Sequence, residues 1–210
     1  MKKIISILII ITSILIFGYA FSASYNSHNI DHLNYVIAIG IDKDASGNNL
    51  QVSFEFTNLS AFSESSSASS SKPIINSVVS TSIPDSITLM NAYAGKQINL
   101  SHCKVVVFSE EIAKNGILQE ITYLMNDTQI RPTTNVIITT DKASDYIKNS
   151  SSSLERILTK YYDVFPTSAE YTGYTSDIKL NKFYQNMTNE DGRFCCHIRN
   201  QKSKRIKLFK

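Results

Sequence analysis

The chain has 210 residues, 42% of them hydrophobic, and a formal net charge of +3. That is enough apolar material for one large or two small buried cores, which excludes a chain disordered throughout. Seven Lys/Arg and no Asp/Glu fall from Arg193 onward, leaving −4 for everything before, so a uniformly basic nucleic-acid surface is excluded as well.

Lys2 and Lys3 precede an apolar run from Ile4 to Phe17 that is interrupted only by Ser6, Thr12 and Ser13. A cationic start followed by an uncharged apolar stretch is the pattern of an export signal. Extended through Phe21, the run approaches the roughly 20 residues that a membrane-crossing helix needs. The two lysines should stay inside, which puts everything after Ser22 on the outer face. Residues 1–23 are therefore read as a signal peptide or a membrane anchor. Gly18-Tyr19-Ala20 and Ala20-Phe21-Ser22 both place small residues at cleavage spacing, so cleavage and retention stay open. Phe21-Ser22-Ala23-Ser24 has the shape of a lipoprotein cleavage box, but Ser24 stands where cysteine would carry the lipid, and no lipidation is expected.

Residues 24–192 read as one α/β domain. Tyr35–Ile41 is a short β-branched apolar run, the pattern of a strand buried on both faces. Leu50–Thr57 alternates, with Val52, Phe54 and Phe56 on one side and Gln51, Ser53 and Glu55 on the other, which predicts a half-buried strand joined to the first by a hairpin. A loop with seven serines among residues 63–71 follows, then a third strand over Ile74–Ser80. Ser82 and Asp85 form a capping box with Pro84 in the first turn, and Ile83, Ile87, Met90 and Ala94 share a stripe that Gly95 ends.

Lys104–Phe108 is another strand, and Ser109-Glu110-Glu111 opens a short helix closed by Gly116. Ile117, Leu118, Ile121, Leu124 and Met125 predict the buried stripe of the next helix, and Asn135–Thr139 a further strand. Ser152–Glu155 is a capping box for a helix that Pro166 stops, and a last helix is expected over Asp177–Met187. The order of elements implies a mixed α/β fold with a central, mainly antiparallel or mixed sheet flanked by helices. Residues 193–210 form a basic tail expected to be disordered.

Chemistry-bearing patterns are sparse. Asp42-Lys43-Asp44-Ala45-Ser46-Gly47 opens like a calcium loop, but its twelfth position is Ser53 and its flanks are strands, so it reads as a polar hairpin turn. Three cysteines are too few for a disulfide framework. Cys195-Cys196-His197 with His102-Cys103 matches no standard zinc spacing, and Cys103 reads as a buried small hydrophobe. His102 with Asp42 is the one acid–base pair that can be drawn, without a nucleophile to complete it. Glycine-rich phosphate loops, GxSxG elbows and HExxH pairs do not occur, and neither an enzyme nor a cofactor is expected.

Three segments resemble the Ger(x)C family, the C subunits of spore germinant receptors: HNIDHLNYVIAIGIDKD (His28–Asp44), NLSHCKVVVFSEEIAKNGI (Asn99–Ile117) and QIRPTTNVIITT (Gln129–Thr140). Gly40, Asp42, Ser101, His102, Gly116 and Arg131 fall where that family's pattern has them. The resemblance implies a non-enzymatic, membrane-associated protein on the outer face of the inner spore membrane. It would act in nutrient germination through contact with integral-membrane A- and B-type subunits, with no nucleic-acid partner. The chain departs from the pattern at Ser24 and in its tail after Gly192, which reads as a shortened and partly degenerate copy. The alternative reading from the residues alone is an exported soluble domain, ligand-binding or hydrolytic, with a cleaved signal.

Overall fold

The computed structural model describes residues 2–23, 33–57, 74–150, 158–167, 171, 177–189, 197–199 and 207–208. The chain divides into two units, Met1–His32 and Leu33–Lys210. The described residues of the first unit form one helix, α1 (Lys2–Ala23). Its large apolar side chains from Ile4 to Phe17 are all more than half exposed, on every side of the helix. The hydroxyl of Thr12 donates back to the carbonyls of Leu8 and Ile9 at 3.0 and 2.9 Å, so this polar group is satisfied within the helix. Among the described residues, no helix is long and apolar enough to cross a membrane.

In the second unit a sheet is covered on both sides. It is built from β1 (Leu33–Lys43), β2 (Leu50–Phe56), β3 (Ile74–Ser80), β4 (Gln97–Asn99), β5 (Val105–Ser109) and β6 (Asn135–Thr139). The helices are α2 (Ile83–Ala94), α3 (Glu110–Asn115), α4 (Leu118–Asn126), α5 (Ala143–Asn149), α6 (Leu158–Thr167) and α7 (Leu180–Thr188). The strand order is β3-β2-β1-β5-β6, with β4 beside the start of β1. β1–β2 and β2–β3 are antiparallel, whereas β1–β5, β5–β6 and β1–β4 are parallel. The sheet is thus mixed: β1, β2 and β3 are joined antiparallel, whereas β5 and β6 run parallel to β1 because helices rather than hairpins lead into them.

A bulge between Val36 and Ala38 resets the alternation of β1. Beyond it, Ile39 and Ile41 join the larger core, under α2, α3, α4 and α7, with Phe54, Val106, Phe108 and Ile121. Ala38 faces the opposite way, into a smaller core with Val105, Val107, Tyr146, Ile147 and Tyr162 under α5 and α6. Gly40 and Asp42 follow Ala38 at intervals of two and so share its side of the strand.

Several elements arise as the sequence predicts. Ser82 caps α2 through its hydroxyl, which accepts from the Asp85 amide at 3.4 Å, and Gly95 closes the helix in the left-handed conformation. The third strand, the paired helices after β5 and the last helix all form. Two expectations need correction. The polar side of β2 is not solvated: Ser53 and Glu55 are both 0% exposed, because α5 and α6 cover that face. Leu118 is 45% exposed, while Ile117 just before α4 takes the buried place. β4 and α5 carry no local signal strong enough to predict them. Of the basic tail, only two short strands fall within the described residues, β7 (His197–Arg199), parallel to β6, and β8 (Lys207–Leu208), antiparallel to β7. The serine-rich loop and the Ser152–Glu155 capping box lie outside the described residues.

Removal of the Ser82 hydroxyl tests the role of the α2 cap. Ser82→Ala is expected to lower unfolding free energy by about 1 kcal/mol in urea titration followed by far-UV circular dichroism, with an unchanged slope.

Candidate functional site

The six positions singled out by the sequence separate into two places in the fold. Asp42 lies near the end of β1, buried to 1% exposure, and its two oxygens accept from the first amides of α5: Ala143 N–H at 2.6 Å and Ser144 N–H at 2.9 Å. The residue before α5, Lys142, supplies no side-chain cap, so a carboxylate about a hundred residues away satisfies the helix's orphan donors. Burial pushes the Asp42 carboxyl above its ordinary range, and the amides of Ser144 and Ala143 pull it back.

Gly40, two residues earlier on the same side, makes the approach of α5 possible. A Cβ there would stand 2.7 Å from Ile147 Cδ1 and 3.2 Å from the backbone carbon of Ala143. Together, Gly40 and Asp42 seat α5 on the sheet. Gly116, between α3 and α4, has φ of 94°, a conformation that a side chain disfavours, so it too serves the chain path.

Ser101, His102 and Arg131 occupy two neighbouring turns at the opposite end of the parallel strands. The Cys103 amide donates to Leu100 O at 2.9 Å across Ser101 and His102, and the Thr134 amide to Arg131 O at 2.9 Å across Pro132 and Thr133. The Leu100 amide donates to Gln129 Oε1 at 2.8 Å, and Thr134 Oγ1 donates to Cys103 O at 3.3 Å, which ties the two turns side by side. Ser101 folds back on Asn99, with its hydroxyl and its amide both donating to Asn99 Oδ1. His102 is exposed, and its ring meets Tyr35 edge-on at 4.9 Å. Arg131 is exposed, and its guanidinium has no ion-pair partner among the described residues.

His102 and Asp42 are not brought together. The Tyr35 ring that His102 touches is seven residues before Asp42 on the same strand, about 23 Å at the rise of a strand, and both Asp42 oxygens are engaged by α5. Asp42 and Asp44 do not converge either: Asp44 accepts from Ser46 Oγ at 2.6 Å and the Asn49 amide at 3.1 Å inside the hairpin turn. Among the described residues, no group of three or more His, Cys, Asp or Glu is placed to hold a metal ion. Burial pushes the Cys103 thiol up to about 12, so it is an unreactive core group. Cys195 and Cys196 lie outside the described residues.

Sequence reasoning missed the buried polar set beneath α6. Tyr162 Oη donates to Glu55 Oε2 at 3.0 Å, and Asn135 Nδ2 donates to Tyr162 O at 3.2 Å. Lys179 Nζ in turn donates to Asn135 Oδ1 at 2.6 Å. The only sequence signal was a glutamate within an apolar strand, and the alternation of β2 concealed it by placing Glu55 on the polar side.

This is a three-layer α/β domain in which the shared polar positions either serve the framework or stand on exposed turns. The sequence profile of the spore germination protein N-terminal domain matches residues 26–198, and the chain belongs to that family. A role in spore germination goes with that membership. No curated protein and no solved structure matches the chain.

Two substitutions test the seat of α5. Asp42→Asn, which can accept one amide but turns an NH2 toward the other, is expected to cost about 1–3 kcal/mol of unfolding free energy. Gly40→Ala is expected to cost a similar amount, about 1–3 kcal/mol, by overpacking. Because Ile147→Val removes the clashing Cδ1, the Gly40→Ala/Ile147→Val double variant should lose less than the sum of the singles in chemical denaturation.

Proposed function

We propose that this chain is a non-catalytic, membrane-associated subunit of a nutrient germinant receptor. It acts at the outer face of the inner spore membrane by contact with integral-membrane partner subunits. The observation that carries the reading is the family match over residues 26–198. Two features of the molecule support it. α1 extends over 22 residues, about 33 Å at the rise of a helix, and exposes apolar side chains all round, which suits a lipid or protein surface rather than water.

The second feature is the division of the six motif positions. Gly40, Asp42 and Gly116 are spent on the framework, which leaves the Ser101–His102 and Arg131 turns as the motif positions free to meet a partner. These turns lie at the end of the domain where β1 begins. A pair of tied turns bearing an exposed imidazole and an exposed guanidinium suits recognition of a carboxylate or backbone carbonyls on a neighbouring protein.

The test is co-purification. Affinity-tagged full chain should be recovered from spore inner membranes together with integral-membrane partners. Recovery only from the cytosol of growing cells would overturn the proposal. His102→Ala and Arg131→Glu should each weaken that co-purification severalfold while changing unfolding free energy by no more than about 0.5 kcal/mol, since both side chains are exposed. Unchanged recovery with both variants would remove the two turns from the interface.

A further inference from the structure

Glu55 is a buried acid that the fold does not need for capping and the proposed interface does not use. It is 0% exposed, on β2 between Ala38 of β1 and Ile75 of β3. One carboxyl oxygen receives the Tyr162 hydroxyl at 3.0 Å, and the other, Oε1, has no hydrogen-bond partner among the described residues. The groups around the pair are few. Ser53 and Ser77 on the same side of the sheet bond each other at 2.8 Å, and Tyr146 and Ser150 of the α5 segment lie beside the Tyr162 hydroxyl. Among the described residues, no charged side chain faces Glu55. On α6 itself Lys160 and Asp163 are exposed, Asp163 pairing with Lys104 at 3.0 Å, and Asp42 is committed to the start of α5.

Of the α6 side chains described, Tyr162 and Pro166 are buried and Tyr161 is half-buried, whereas Lys160, Asp163 and Val164 are exposed. Tyr162 and Tyr161 pack in the smaller core. Polar ties add to that hold: Asn135 Nδ2 to Tyr162 O, and the Lys104–Asp163 pair. The Glu55–Tyr162 bond thus lies where α6 meets the sheet.

We propose that the Glu55–Tyr162 pair is a proton-operated latch: with Glu55 protonated it holds α6 against β2, and loss of that proton releases α6 while the rest of the domain stays folded. A neutral carboxyl is tolerated in this enclosure, but an ionised one has, among the described residues, a single donor and no counter-charge, and it gains water by displacing the helix. Burial pushes the Glu55 carboxyl from 4.5 up to about 8 in the docked state, so docking is favoured below that range. Opening releases one proton wherever the docked form is protonated and the open form is not. The open fraction therefore rises about tenfold per pH unit between about 5 and 8, then levels off.

Hydrogen exchange measured by mass spectrometry on the full chain in detergent micelles, from pH 5.5 to 9, reads this directly once intrinsic rates are divided out. Protection of the 158–167 amides should fall about tenfold per pH unit up to about pH 8, while that of α2 stays constant. Glu55→Gln should flatten the α6 profile, and Glu55→Met, apolar and of similar length, serves as a second variant with the same flat profile expected. Three results would overturn the latch: α6 protection that does not change with pH, protection of α2 that falls in step with it, or a slope that survives both substitutions.

Discussion

The carboxylate of Asp42 closing on the first two amides of α5 is the contact on which the second layer of the domain depends. A helix of seven residues has few intrahelical hydrogen bonds of its own, and Lys142 before it cannot accept from its free amides. The acid reaches them from a strand formed long before in the sequence, at 2.6 and 2.9 Å, and does so because Gly40 leaves no Cβ in the path. Once α5 is seated, Tyr146 and Ile147 cover β1 and β5, and the sheet acquires a second buried face. That face then hides the side of β2 bearing Ser53 and Glu55.

The two buried acids of this layer are provided for differently. Asp42 has two backbone donors at the positive end of a helix, an arrangement that supports its charge. Glu55 has one phenol, and its second oxygen has no donor among the described residues, an arrangement that supports its neutral form. One acid is thus held by two helix amides, and the other by a single hydroxyl. Asn135 links the same region to the far end of the chain, with its amide on the α6 backbone and its carbonyl on Lys179 just before α7.

The polar positions singled out by the resemblance divide along the strands. At one end they make packing possible, and their chemistry is used up inside the protein. At the other end Ser101, His102 and Arg131 sit on turns tied by Gln129 and Thr134, with the imidazole and the guanidinium exposed. Between the two groups, Cys103 is buried and held as a thiol.

The sequence by itself determined the apolar leader, the strands with unbroken or alternating apolar runs, the Ser82 cap and the helix stripes that follow β3 and β5. Each of these is set by neighbours within a few residues, through periodicity or a local hydrogen bond. It also marked Gly40, Asp42, Ser101, His102, Gly116 and Arg131 through resemblance, without saying what each does. Only the tertiary structure decided that α5 exists, that β4 pairs the start of β1, that the polar side of β2 is buried, and that Asp42 is a cap rather than half of a catalytic pair. In every one of these cases the deciding partner lies tens of residues away: the amides of Ala143 and Ser144 for Asp42, Tyr162 for Glu55, and Leu33–Tyr35 for Gln97–Asn99. A local pattern records whether a side chain is polar, and the fold alone supplies the group that satisfies it.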